Sequence, residues 1–197
     1  VMPIFDEMRV ELMAGQFLDI HEQTQKNTDL ARSVKIARYK SGKYTIERPL
    51  HMGAVLAGDA SPALLTALSE YGLPLGEAFQ FRDDLLGVFG DPSVTGKPAG
   101  DDLREGKRTA LIAMTDAKCT EAMKAESRKY FGKNDIDEKG VAILQEMIVS
   151  TGAKAALETM IEDLTSKALR AIENPAIDSA GRDLLNELAL IATKRSM

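Results

Sequence analysis

The chain has 197 residues, of which 44% are hydrophobic and 28% are charged, with a formal net charge of −5. This length and composition fit a globular domain with one sizeable core, and the negative charge argues against general nucleic-acid binding. No apolar run approaches the length of a membrane-spanning helix, so the sequence predicts no membrane span. The single cysteine, Cys119, excludes an internal disulfide and suits a reducing cytoplasm.

The first predicted element is one helix over residues 2–26, because its apolar residues repeat at intervals of three and four. Gln16 and Asp19 follow the same spacing on an adjoining face. They could line the wall of a cavity, near Lys40 or a metal-bound water. An ordinary amphipathic helix would show the same period, and that alternative stays open.

A second helix, capped by Asp29, is predicted to end near Gly42, where glycine favours a break. Such a break would leave Lys40 and Ser41 with their polar atoms pointing into a helical bundle. A third helix begins at about Lys43. This lysine competes with Lys40 for a ligand-binding role by its proximity, although a solvated side chain is the ordinary expectation there.

Ser61 and Pro62 open the next helix as N-cap and first turn. This helix is predicted to reach Tyr71 and to be interrupted by Gly72 and Pro74 before it resumes. The remaining sequence shows helical periods and no strand-like alternation, which predicts an all-α fold. These later helices are expected at about 106–115, 119–131, 137–150, 153–173 and 177–193.

The resumed helix carries an acidic face. Gln80, Asp83 and Asp84 fall at i, i+3 and i+4, so they share one side of the helix. Two adjacent carboxylates on a helix that is buried at both flanks are costly without a counter-ion. A solvated aspartate pair near a helix end is the ordinary alternative. The position inside an apolar run, after Phe79-Gln80 and with a loop that carries two lysines behind it, favours a functional pair.

A long loop rich in glycine and proline follows, with Lys97 inside it and Lys107 just before the next helix. A loop of this length without its own periodicity is usually functional or disordered. Acid on a rigid helix facing base on a loop suits a multivalent phosphate bound through Mg²⁺, because carboxylates hold the cation and lysines take phosphate oxygens. A plain surface loop with solvated lysines is the alternative.

This ordered series of motifs resembles the trans-prenyl diphosphate synthases, the family of the farnesyl and geranylgeranyl diphosphate synthases. The resemblance implies an all-α, isoprenoid synthase-type helical bundle around a central cavity, with residues 1–197 forming a single domain. The segments that carry it are Gly15-Gln16-x-x-Asp19, Tyr39-Lys40-Ser41-Gly42, Phe79-Gln80-x-x-Asp83-Asp84, Thr95-Gly96-Lys97-Pro98, Asp102-Leu103-x-x-Gly106-Lys107-x-Thr109 and Thr151-Gly152-Ala153.

The chain also departs from the family pattern. The first aspartate-rich motif and the upstream basic groups for isopentenyl diphosphate have no counterpart here, so we expect N-terminal helices that carry them to precede Val1. A divergent protein without them is the alternative. Gly87 stands where the family often has a third aspartate in the second motif. Ser41 replaces the usual threonine and keeps the hydroxyl.

The resemblance implies condensation of an allylic diphosphate with isopentenyl diphosphate to a trans-prenyl diphosphate, with Mg²⁺ as cofactor and a homodimer as the assembly. A geranylgeranyl-type product is favoured over a farnesyl-type one. A terpene cyclase on the same fold and a non-catalytic partner subunit are the alternatives. The implied roles are metal binding by Asp83 and Asp84, catalysis by Lys40, Ser41, Gln80 and Lys97, substrate binding by these four with Tyr44, Phe79 and Lys107, and support by Gln16 and Asp19.

Overall fold

The computed structural model describes residues 1–25, 28–96 and 98–194, and within these ranges the chain is helical without a strand, which confirms the all-α prediction. A π-helical segment, Arg38–Glu47, joins two of the α-helices without a break. The α-helices are α1 (Met2–Gln23), α2 (Leu30–Ala37), α3 (Arg48–Leu56), α4 (Pro62–Phe89), α5 (Pro92–Thr95), α6 (Asp101–Glu105), α7 (Ala110–Lys118), α8 (Glu121–Ser127), α9 (Glu138–Ser150), α10 (Ala153–Ala171) and α11 (Ser179–Thr193).

The chain divides into two compact units. The first comprises Val1–Asp19, Val34–Gln80 and Met160–Arg195, and the second comprises chiefly Ile20–Ser33 and Phe81–Thr159. None of the described helices combines the length and the apolar character that a membrane crossing requires.

The core of the first unit is built on α4. Tyr71 and Leu75 are fully buried there and pack with Ala168 of α10 and Ala189 of α11. The Tyr71 hydroxyl donates to the backbone carbonyl of Leu185 at 2.6 Å. Burial raises the pKa of this phenol, so it remains a protonated donor at neutral pH. Helices α4, α10 and α11 are thereby held as one packed group.

The predicted break at Gly42 is wrong, because the chain continues from α2 through the π-helical segment into α3. The glycines serve close packing instead. A Cβ atom added to Gly76 of α4 would overlap the Cα of Gly42 and lie 3.0 Å from its carbonyl oxygen. A Cβ added to Gly15 of α1 would lie 2.7 Å from the backbone nitrogen of Lys40. Helices α1 and α4 therefore each approach the π-helical segment at the level of its backbone.

The predicted interruption of α4 at Gly72 and Pro74 is also wrong, since α4 runs from Pro62 to Phe89. Proline lacks the amide hydrogen that would bond to the carbonyl of Glu70, at a cost of about 3 kcal/mol in a helix interior. The helix continues because the residues around the proline are deeply buried, Leu75 among them. Tertiary packing thus outweighs the local preference for a break.

In the second unit the long loop contains two short helices, α5 and α6, where the sequence predicted no periodicity. Asp91 caps α5 by accepting from the Ser93 amide at 2.8 Å. Helix α7 begins at Ala110 rather than at 106, because Thr109 is its N-cap and accepts from the Ile112 amide. The starts of α9 and α10 lie within one residue of the predictions, whereas α8 ends at Ser127, four residues early.

The contact between Gly76 and Gly42 can be tested by Gly76→Ala. The added methyl group has no space and must push two backbones apart, so we expect a loss of unfolding free energy of about 2 kcal/mol or more. Urea denaturation followed by circular dichroism measures the loss. Gly53→Ala is the matched control: Gly53 is also helical and nothing lies within 4 Å of an added Cβ. The control should gain about 0.5–1 kcal/mol. Equal effects of the two substitutions would contradict the packing account.

Candidate functional site

The first half of the predicted site lies on the π-helical segment. The Lys40 ammonium group donates to a carboxylate oxygen of Asp19 on α1 at 2.5 Å. Both side chains are partly exposed, so the pair lies at the surface of the unit rather than in its core. The structure therefore brings Lys40 and Asp19 together, whereas Gln16 is exposed.

The next residue of the segment contacts α4. The Ser41 side chain is buried, and its hydroxyl donates to the side-chain carbonyl oxygen of Gln80. This bond fixes the orientation of the Gln80 amide. Phe79 packs against the core cluster of the first unit, and Tyr44 is 44% exposed on the π-helical segment. Lys40 therefore contacts α1, and Ser41 contacts α4.

A network of ion pairs links Glu11 of α1 to Lys43 and Arg48, and it was not predicted from the sequence. Lys43 was expected to be solvated, but only 17% of its side chain is exposed and its ammonium group is paired with Glu11. Arg48 donates to the same carboxylate at 2.8 Å and to Glu7 at 2.8 Å. The only local signal is that Glu11 lies two helical turns before Asp19 on one side of α1, and this spacing does not identify Lys43 as a partner.

The Glu11 carboxylate is held in its charged form. Burial alone would raise its pKa, but hydrogen bonds from Arg48 and Lys43 outweigh burial and lower the pKa below its ordinary value near 4.5. The carboxylate oxygen Oε2 of the neighbouring Glu47 is buried and receives no hydrogen bond, with Arg48 Nε 3.9 Å away. The network therefore stabilises the segment chiefly through Glu11.

A cavity of about 480 Å³ also lies in the first unit, but it is lined by other residues. Around it, Arg38 donates to Glu77 at 2.5 Å, and the Ser69 hydroxyl lies 3.0 Å from the imidazole of His51. Lys40, Ser41 and Gln80 are not part of its lining. This cavity is therefore separate from the contacts that Lys40, Ser41 and Gln80 make.

The acidic half of the predicted site lies in the second unit. Asp84 is 6% exposed and Asp83 is partly buried, both near the end of α4. Among the described residues, no three side chains of His, Cys, Asp or Glu are grouped closely enough to hold a metal ion by themselves. The oxygen-only donors fit Mg²⁺, which commonly takes one or two carboxylates and completes its shell with waters and phosphate oxygens.

Lys107 is held by the acidic residues around it. Its ammonium group is paired with the Asp102 carboxylate and lies 3.1 Å from a carboxylate oxygen of Glu105. Burial alone would lower the pKa of Lys107, but the two carboxylates raise it, so the side chain stays cationic. Lys97 lies outside the described residues. The convergence of Lys40, Lys97 and Asp83 on one ligand stays a prediction.

Together, these observations define a class: an all-α protein with an adjacent aspartate pair in the last two turns of its long helix α4, and with a lysine and a buried hydroxyl on a π-helical segment. This is the isoprenoid synthase fold. The chain belongs to the polyprenyl synthetase family, whose pattern its residues 1–148 match. The sequence resemblance to the trans-prenyl diphosphate synthases is thereby confirmed.

Its relatives make products of different lengths, as their names state. A geranylfarnesyl diphosphate synthase of Aeropyrum pernix is 33% identical over 186 residues, which are 94% of this chain and 57% of that protein. A farnesyl diphosphate synthase of Geobacillus stearothermophilus is 33% identical over 142 residues, 71% of this chain and 47% of that protein. The chain thus spans about half the length of these relatives.

A solved structure agrees closely with the fold. The crystal structure of a geranylgeranyl pyrophosphate synthase from Corynebacterium glutamicum, complexed with isoprenyl diphosphate and magnesium, matches with a TM-score of 0.93 and 42% sequence identity. The match covers 98% of this chain and 55% of that one. The chain therefore follows the helical arrangement of a synthase along almost all of its own length.

The ion network predicts a pH-dependent effect of Glu11→Gln. Because the folded pKa of Glu11 is lowered, its contribution to stability is present above pH 4.5 and is lost as pH falls through the folded value. We expect the variant to lose about 2 kcal/mol of unfolding free energy at neutral pH and progressively less below pH 4.5. Urea denaturation across this pH range measures the difference.

Glu7→Gln is the matched control for this experiment. Glu7 contacts the same Arg48, but its side chain is 57% exposed, so its loss should cost less than about 1 kcal/mol. A Glu11→Gln deficit that stays constant down to pH 3 would contradict the charged-pair account.

Proposed function

We propose that this protein is a chain-elongating prenyltransferase, which condenses an allylic diphosphate with isopentenyl diphosphate to a trans-prenyl diphosphate and releases diphosphate. One observation carries the proposal: the chain has the adjacent Asp83 and Asp84 in the last two turns of a long helix, within the 148 residues that match the polyprenyl synthetase family. Because the chain spans about half the length of its relatives, activity of the whole protein belongs to the proposal.

The acidic residues would hold the cofactor. We assign Mg²⁺ to Asp83, with Asp84 in its shell or just outside it. When bound, Mg²⁺ supplies Lewis-acid stabilisation of the negative charge that develops on the leaving diphosphate. Carboxylates suit this hard cation, and its remaining positions can be taken by waters and diphosphate oxygens.

The basic residues would hold the allylic diphosphate. Lys40 and Lys97 contact its oxygens in our proposal, and Lys107 holds α6 or reaches phosphate. Each is a compact positive charge that can donate several hydrogen bonds to an anion. These contacts orient the C–O bond for cleavage and stabilise the departing group.

The polar groups next to Lys40 would face the allylic cation. Ser41 donates to the Gln80 carbonyl and so keeps the amide in one orientation. Amide and hydroxyl dipoles can stabilise a carbocation without adding to it rapidly, and Phe79 and Tyr44 would flank the reacting carbons. The chemistry needs no protein nucleophile, because the double bond of isopentenyl diphosphate would attack the allylic cation to form the new C–C bond. The released diphosphate can then accept the proton.

Product, assembly and compartment complete the proposal. The sequence at the end of α4, DDLLGVFGDP, is most similar to geranylgeranyl-type enzymes, so we favour that product over a farnesyl-type one. We further propose a homodimer in the cytoplasm, in agreement with the single cysteine, Cys119.

The proposal is tested by assaying the full-length protein with Mg²⁺, isopentenyl diphosphate and dimethylallyl, geranyl or farnesyl diphosphate. We expect a longer prenyl diphosphate, and its chain length identifies the product. Asp83→Ala should lower turnover by several decades, each worth about 1.4 kcal/mol of barrier. Asp163→Ala, which changes an exposed aspartate of α10, is the matched control and should be active.

Near-normal turnover of Asp83→Ala would contradict the metal assignment. A wild-type protein that forms no product and binds no diphosphate in the presence of Mg²⁺ would contradict the enzyme and favour the partner-subunit alternative.

A further inference from the structure

The glycine that ends α6 meets a second glycine from another part of the second unit. Gly106 has a φ of 69°, in the left-handed region that favours glycine. A Cβ atom added to Gly106 would lie 2.8 Å from the Cα of Gly132. Two non-bonded carbon atoms do not tolerate that separation. Position 106 therefore requires glycine both for its own backbone conformation and for the approach of a second backbone.

Gly132 belongs to a short turn between α8 and α9, residues 130–133, which we call the 130–133 turn. The turn starts directly from the end of α8, where the Phe131 amide donates to the Ser127 carbonyl at 2.9 Å. The Gly132 amide then donates to the carbonyl of Leu103 in α6 at 2.9 Å. Since Leu103 is only 1% exposed, this bond joins the turn to a buried part of α6. A hydrogen bond and a contact between two glycines thus hold the turn against α6.

The residue on the other side of Lys107 is anchored as well. The guanidinium group of Arg108 donates to the Thr28 hydroxyl at 3.0 Å, and the Arg108 carbonyl accepts from the Ser33 hydroxyl at 3.4 Å. Ser33 is a buried residue of α2. Lys107 therefore lies between two residues that other parts of the second unit hold, while 37% of its own side chain is exposed.

We propose that the 130–133 turn is a clasp for the end of α6, and that this clasp sets where the Lys107 ammonium group can reach. Gly106 and Gly132 are positioning residues: they touch no ligand and act through Lys107. The inference rests on the proposed function, in which Lys107 can reach the phosphate of the substrate. Because the backbone on both sides of Lys107 is fixed beforehand, less conformational freedom is lost when its side chain meets the anion.

The clasp can be tested without any ligand by Gly106→Ala. Gly58→Ala is the matched control: Gly58 also has a positive φ, 88°, but nothing lies within 4 Å of an added Cβ. Both variants strain a left-handed backbone, and only Gly106→Ala also pushes Gly132 away. We expect Gly106→Ala to lower the melting temperature by at least about 3 °C more than the control. Equal losses would overturn the clasp.

Hydrogen exchange locates the same effect. The Gly132 amide should exchange faster in Gly106→Ala than in the wild type, because its bond to the Leu103 carbonyl is broken. In Gly58→Ala its exchange should be unchanged. An unchanged rate in Gly106→Ala would show that the turn does not depend on Gly106, and this too would overturn the clasp.

The positioning role is tested by calorimetry of the full-length protein with inorganic pyrophosphate and Mg²⁺. Lys107→Met removes a charged hydrogen-bond donor and should weaken binding about tenfold or more. Gly106→Ala should weaken the binding of the wild type about fivefold. In the Lys107→Met background it should cause no further loss, because it acts through the missing side chain. Gly58→Ala should bind like its parent in both backgrounds.

A milder variant covers the case in which Gly106→Ala does not fold. Thr28→Val keeps the shape of the side chain and removes the hydroxyl that accepts from Arg108. It should weaken pyrophosphate binding about twofold to threefold in the wild type and leave Lys107→Met unchanged. Thr24→Val is its matched control, since the Thr24 hydroxyl donates to the His21 carbonyl at the end of α1. The control should bind like the wild type.

The outcomes separate the two proposals. If the wild type binds pyrophosphate and both Gly106→Ala and Thr28→Val bind it equally well, the inference is overturned and the proposed function stands. An equal loss with and without the Lys107 side chain also overturns the inference, because the effect then does not pass through Lys107. A wild-type protein that binds no pyrophosphate with Mg²⁺ overturns the proposed function, and the positioning role with it.

Discussion

The first unit depends on the direct approach of three backbones. Gly15 of α1 and Gly76 of α4 each bring their helix against the π-helical segment, at Lys40 and at Gly42 respectively. Without side chains between the helices, polar groups on the segment reach partners on both sides. That is why Lys40 can pair with an acid of α1 while the next residue, Ser41, donates to an amide of α4.

In the second unit, a helical glycine again leaves space for a neighbouring group. There the missing side chain of Gly87 admits the Asp102 carboxylate rather than a backbone. Gly15, Gly76 and Gly87 lie inside helices, and each is explained by the atoms that lie against it. None of the three has a positive φ that would require glycine for conformational reasons. The absence of a side chain at these glycines therefore helps to position the polar groups that the proposed chemistry needs.

Local sequence signals predicted the helices well and their continuity poorly. The aspartates that cap α9 and α11 lie where the periodicity changes, so Asp137 and Asp178 identify the starts closely. Gly42 and Pro74 favour a break on the same local grounds, yet both lie inside continuous helices. A glycine that ends a helix and one that admits a neighbour have the same sequence signature, and only the tertiary contacts distinguish them. The partners of Lys43 could not be predicted for the same reason.

Within the described residues, two lysines of the candidate site are each paired with a carboxylate before any anion arrives. Lys40 is paired with Asp19, and Lys107 is paired with Asp102. Such pairing keeps a long side chain extended, which lowers the entropy lost when it meets a ligand. It also means that, in the proposed function, a diphosphate replaces or joins an existing carboxylate partner instead of meeting a bare cation. The net gain in charge attraction is then small, and Mg²⁺ must neutralise most of the charge of the bound anion. In the proposed function, selectivity for the metal-bound form of the substrate would follow from this arrangement of charges.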